Sequence, residues 1–156
     1  MTGGNQQRSR FWRYAPLAAW LCFIFFASTG ELSAENTSLI VRPLLLWLFP
    51  HISEEQIKLA HFIVRKAAHF TEYGILALLA TRAFVNSSHS ILRRQWFWFS
   101  FLLIAFYALS DEFHQRFVPS RTASIYDSLI DMSGGLTALL LVALWRKRRS
   151  ASEKEY

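Results

Sequence analysis

Four stretches of this chain are continuously apolar and approach the width of a bilayer: about Tyr14–Ser28, Ala67–Phe84, Trp96–Leu109 and Leu129–Trp145. A hydrocarbon core about 30 Å thick asks for roughly 20 mostly apolar helical residues. In lipid every backbone N–H and C=O must find its partner within the protein, which leaves helices and closed barrels. The runs are continuous rather than alternating, so helices are predicted and strands are not. The expected fold is all-α: a polytopic membrane bundle of about four transmembrane helices in a single domain of 156 residues.

Between the first two runs, Leu39–Phe49 is apolar but too short to cross, and Pro43 is expected to interrupt it. Such a segment lies in the interface or re-enters, and here it reads as a structural lid with Trp47 at headgroup level. Ser53 followed by Gln56 is a capping box, so a helix is predicted to start there and run unbroken through Phe84. Its first turns offer Ile57, Ala60, His61 and Val64 as an amphipathic face. Ser124 and Asp127 form a similar signal, after Pro119 and Ser120, and are predicted to open the last helix. Gly134 and Gly135 read as a close helix contact rather than a phosphate cradle.

The net charge of +6 raises the question of nucleic acid, and the distribution answers it. Eleven of the 17 Lys and Arg residues lie in segments that alternate topology places on one side of the membrane: Arg8, Arg10 and Arg13; Arg82, Arg93 and Arg94; and Arg146, Lys147, Arg148, Arg149 and Lys154. The positive-inside rule then puts both termini in the cytoplasm of a bacterial inner membrane. Residues 1–13 are a basic cytoplasmic segment, 14–145 the transmembrane domain and 146–156 a basic, disordered tail suited to anionic headgroups. Arg82 is read as a snorkelling anchor, and His51, His61 and His89 as loop or surface residues. Arg8–Arg13, the first run and Ala27-Ser28-Thr29 also outline a cleavable signal peptide. Thr29 replaces the small residue that cleavage needs, so the run is read as a retained span. The lone cysteine, Cys22, lies inside that span and is expected to be a small buried packing residue.

The residues that can carry chemistry fall at one end of the predicted bundle. The second run carries Lys66, His69, Glu72 and Tyr73 at helical spacing. The third ends in Asp111, Glu112, His114 and Gln115, and the fourth begins with Asp127 and Asp131 on one face. Arg121, in the loop between them, reaches over the group. A charge at the centre of a lipid-facing helix costs at least about 2.5–3.5 kcal/mol, so these side chains face inward and pair, and they make a functional site by default. His69, Glu72 and Asp111 are the candidate catalytic residues. Lys66, His69, Glu72, Tyr73, Asp111, Glu112, Gln115, Arg121, Asp127 and Asp131 are the candidate ligand-binding set. His-x-x-Glu lacks the spacing of a zinc-enzyme signature, so no metal and no cofactor are expected.

In this order the motifs resemble the VanZ-like family of bacterial membrane proteins. The matching residues are Lys66-x-x-His69-x-x-x-Tyr73; then Ser110-Asp111-Glu112-x-x-Gln115-x-Phe117-x-Pro119-x-Arg121; then Asp127 and Gly134-Gly135. The resemblance covers roughly Leu39 to Leu144 and departs at Asp131, where an Asn is common. It implies a cell-envelope role, with the namesake associated with resistance to the lipoglycopeptide teicoplanin, and it implies no established reaction. Three functions follow as expectations. The first is binding or modulation of an anionic lipid or lipid-linked envelope component. The second is an intramembrane enzyme, with His69 as acid or base, Glu72 or Asp111 orienting it, and Arg121 stabilising negative charge. The third is a proton-coupled carrier, which with four helices would require a homo-oligomer.

Overall fold

The computed structural model describes residues 3–28, 34–118 and 124–152, and their regular structure is helical throughout. In chain order the elements are α1 (Gly3–Ser28), α2 (Ala34–Leu48), α3 (Glu54–Val85), α4 (Ser90–Arg94), α5 (Trp96–Gln115) and α6 (Ile125–Ser152). Among the described residues, three segments are long and apolar enough to cross a membrane: Phe11–Ser28 of α1, α5 and α6. The predicted span Ala67–Phe84 falls within α3, where His69, Glu72 and Arg82 lower the hydropathy. At 32 residues it is the longest helix, and it touches every other one.

α3 is central because of its small residues. Tyr73, Leu76, Ala77, Ala80 and Ala83 recur every three or four positions and are fully buried. That stripe lets neighbouring backbones close in, as small residues do between helices in lipid. Leu17 and Ile24 of α1, Ile104 and Ala108 of α5 and Leu139 of α6 complete the core. The outward faces are apolar too: Phe26, Leu102, Phe106, Leu129 and Leu141 are all exposed. In water such a surface would drive association, whereas in lipid it is the solvated surface.

Bonds at the helix ends set the directions. Tyr14 Oη donates to Ser87 Oγ at 2.9 Å, tying the first turn of the apolar part of α1 to the end of α3. Gln115 Nε2 donates to Ser28 Oγ at 2.9 Å, tying the ends of α1 and α5. Arg146 lies 5.7 Å from the Trp96 ring, tying α6 to the start of α5. So α1 and α5 run one way, and α3 and α6 the other. One end gathers the acids, and the other holds Arg13, Arg82, Arg93, Arg94, Arg146, Arg148 and Arg149.

Several expectations need correction. Pro43 does not interrupt α2, which continues through it to Leu48. The tail is not disordered as far as Ser152, because α6 carries Arg146–Arg149 on its last turns. α1 likewise begins at Gly3, well before the predicted span. Cys22 is exposed on the outer face of α1, and Val64 is exposed beside the buried Ile57. The capping box at Ser53 is complete, with Gln56 N donating to Ser53 Oγ and Ser53 N to Gln56 Oε1. The one at Ser124 does not close. Glu112 accepts the Ser124 backbone N–H, and Asp127 turns instead to Lys66.

α3 also overshoots its neighbours. Lys66 meets Asp127, two residues into α6, yet lies 12 residues into α3. At 1.5 Å per residue, α3 therefore rises about 18 Å along its own axis before reaching that level. Its raised sides expose Leu59, Phe62 and Ile63, and the attached α2 exposes Leu44, Trp47 and Leu48. Arg42 of α2 clamps Glu54 of α3 through contacts of 2.5 and 3.1 Å.

Candidate functional site

The site starts from a glycine. A Cβ on Gly134 would stand 2.1 Å from the Phe70 carbonyl oxygen, so α3 and α6 meet backbone to backbone. On the other side, a Cβ on Gly135 would meet Ile104 Cγ2 of α5 at 2.7 Å. These glycines are the close helix contact that their pairing implies. Because α3 and α6 run parallel, the residues leading up to this contact on the two helices fall opposite each other. His69 Nδ1 lies 3.3 Å from Asp131 Oδ1, and Lys66 pairs with Asp127. The His69–Asp131 contact has ion-pair distance without the alignment of a hydrogen bond, and neither atom has another hydrogen-bond partner among the described residues.

α5 adds a second row. Asp111 Oδ2 accepts from Gln115 Nε2 at 3.0 Å, and the same nitrogen reaches Ser28 of α1. Glu112 holds the start of α6 through the Ser124 N–H, and Ser128 Oγ donates to the Ala108 carbonyl at 3.3 Å. Tyr73 stands between the rows. It is completely buried, lies within electrostatic reach of Asp111 and Asp131, and its hydroxyl meets no partner among the described residues. Glu72 is half-buried on α3, with its carbonyl accepting from Trp20 Nε1 of α1 at 3.0 Å.

Nine of the ten predicted binding residues are described, and all nine are drawn to one end of the bundle. The tenth, Arg121, lies outside the described residues. The pairing differs from expectation at one point: the carboxylate beside His69 is Asp131, not Glu72 or Asp111. Four participants were not anticipated. Trp20, Ser28 and Tyr107, which donates to the Leu21 carbonyl, bring α1 into the site, and Ser128 locks α6 to α5. Ser128 follows Ser124 by one turn on the buried face, a spacing visible in the sequence; no comparable signal marks Ser28. His114 stacks near Phe25, with ring centroids 4.9 Å apart. His51 and His89 are exposed loop residues and His61 is half-buried on α3.

Chemically, the described site sets five carboxylates against Lys66 and His69. That surplus of acceptors suits hydroxyl, amide and ammonium donors, while Lys66, and Arg65 within electrostatic reach of His69, supply fixed positive charge. No three His, Cys, Asp or Glu side chains converge as metal ligands among the described residues.

A family model described as VanZ/LLP1 matches residues 11–146, extending the likeness across α1. No curated protein and no solved structure matches the chain.

Proposed function

Because this chain belongs to the VanZ/LLP1 family, we propose that it is an envelope-modulating protein of the bacterial inner membrane that binds the headgroup of a lipid or lipid-linked envelope component. The observation that supports this most is the step between α3 and the rest of the bundle. Exposed Leu59, Phe62 and Ile63 form an apolar riser, and the Lys66–Asp127 and His69–Asp131 pairs lie at its foot. An amphiphile fits that shape, with its tail along the riser and its headgroup among the pairs. Lys66, with Arg121 from the adjoining loop, would take a phosphate. The carboxylates would take sugar hydroxyls or an ammonium. In this reading both termini are cytoplasmic and the acidic end faces outward. A part in glycopeptide or lipoglycopeptide resistance follows from diverting such a component.

The Lys66–Asp127 pair provides the test, because structure and binding respond differently to its removal. Lys66→Met alone strands Asp127 and should cost about 3–5 kcal/mol. Lys66→Met with Asp127→Leu removes both charges and should restore stability to near wild type, since apolar replacements of buried pairs are often neutral. Lipid co-purifying with the solubilised protein is then identified by mass spectrometry. The double variant is expected to melt like wild type and lose the bound component. Retention of that component, together with an intact envelope phenotype, sinks the proposal.

One observation favours the enzymatic alternative: a histidine lies 3.3 Å from a buried carboxylate, a pairing that becomes an oriented general base once the contact aligns as a hydrogen bond. It predicts a chemically altered lipid that accumulates with time in wild type and not in His69→Gln.

A further inference from the structure

At the end opposite the acids, two arginines from different helices line one groove. Trp12 and Arg13 of α1 and Arg82 and Asn86 at the end of α3 line an open groove of about 340 Å³. Two like charges share this groove, and every carboxylate among the described side chains lies elsewhere: on α3 ahead of Tyr73, at the end of α5 or at the start of α6. Arg13 Nη1 is shut off from solvent and has no hydrogen-bond partner among the described residues. That nitrogen faces protein, whereas other atoms of Arg13 line the groove together with Arg82, and two guanidinium-bearing side chains with no described carboxylate beside them favour an anion there.

The groove wall is built rather than incidental. Tyr14, next to Arg13, donates to Ser87, next to Asn86, at 2.9 Å. Ser87 is buried, accepts the His89 N–H at 3.2 Å, and its carbonyl accepts from Arg93 Nη1 at 3.3 Å. Asn86 Nδ2 closes the α3 terminus on the Arg82 carbonyl at 2.8 Å. The two backbones that carry the arginines are thus stapled together. Trp12 is exposed on the same rim, as interfacial tryptophans are.

We propose that Arg13 and Arg82 form an interhelical site for a phosphate group, carried by an anionic phospholipid headgroup at the basic face of the membrane. The site is separate from the acidic end and does not depend on what that end binds. Two planar guanidinium forks match the oxygens of a phosphate diester, and the Asn86 carboxamide stands beside them. A zwitterionic headgroup presents the same phosphate with an attached cation, which two arginines disfavour.

The test uses the full chain in detergent, with native mass spectrometry against phosphatidylglycerol, phosphatidylcholine and inorganic phosphate. The variants are Arg13→Gln, Arg82→Gln and Arg13→Lys, with Arg94→Gln as a neighbouring exposed control. Wild type is expected to keep one phosphatidylglycerol through activation that strips phosphatidylcholine. Arg13→Gln and Arg82→Gln should each weaken retention about tenfold or more, Arg13→Lys by an intermediate factor, and Arg94→Gln by less than about twofold. Arg82 is exposed, so its variant tests the site even if Arg13→Gln destabilises the fold. Displacement of the lipid by millimolar inorganic phosphate would assign the site to the free anion. Its persistence would assign it to the headgroup. Equal losses in Arg94→Gln and Arg13→Gln, or no arginine-dependent retention of either ligand, would overturn the proposal.

Discussion

At the scale of single residues, the most constrained position is Gly134. Its hypothetical Cβ strikes backbone, the Phe70 carbonyl, which gives way only if α3 and α6 move apart. Gly135 meets side chain rather than backbone, the Cγ2 methyl of Ile104 at 2.7 Å and its Cδ1 at 3.0 Å. Gly134→Ala should therefore lower stability by about 3 kcal/mol or more and loosen both charged pairs, while Gly135→Ala should cost about 1–2 kcal/mol. Ile104→Val should recover part of the second loss and none of the first. Thermal unfolding of the solubilised variants gives the order directly, and equal losses would contradict this packing. The same glycine marks what a linear reading lacks. Lys66, His69, Asp127 and Asp131 are identifiable as inward-facing ionisable groups from their positions in or beside apolar runs. Which acid faces His69 depends on the register of α3 on α6, and that register is set by a contact between residues 64 positions apart.

At the scale of elements, two helix starts carry nearly the same local signal and resolve differently. Ser53 and Gln56 satisfy each other, so α3 begins on its own chemistry. Ser124 gives its backbone N–H to Glu112, so α6 begins on a side chain from α5, and the Ser124 hydroxyl accepts from Tyr126 N at 3.3 Å. Ser53→Ala should cost about 1 kcal/mol and speed amide exchange at Gln56 and Ile57. For α6 the larger loss should come from Glu112→Ala rather than Ser124→Ala, again read by amide exchange over the first turn. The helices themselves were legible because lipid demands uninterrupted apolar length. The start of α3 was legible as well, because its cap is local; how α6 is capped was not, because a carboxylate from α5 takes the Ser124 N–H. α2 passes through Pro43 because a proline removes only one donor, and the remaining bonds carry the helix past it. The basic tail looked solvated by composition. On α6 its arginines lie against aromatic rings, Arg149 over Trp145 and Arg146 over Trp96, each at 5.7 Å.

At the scale of the whole molecule, the acids at one end and the arginine cluster at the other predict an orientation. Cysteines placed at His51, in the turn before α3, and at Ser88, in the turn after it, are both in exposed positions. In a Cys22→Ala background, His51→Cys should react with an impermeant thiol reagent in intact cells, and Ser88→Cys only after lysis. Equal accessibility would remove the four-span topology. The step described above also decides how concentration should be counted. If the acidic end is approached along an apolar riser, a ligand dissolves in the membrane before it meets the protein. Occupancy then follows its mole fraction in the lipid rather than its molarity in the medium. Diluting a vesicle suspension with buffer would leave binding unchanged, whereas adding empty lipid at constant ligand would reduce it.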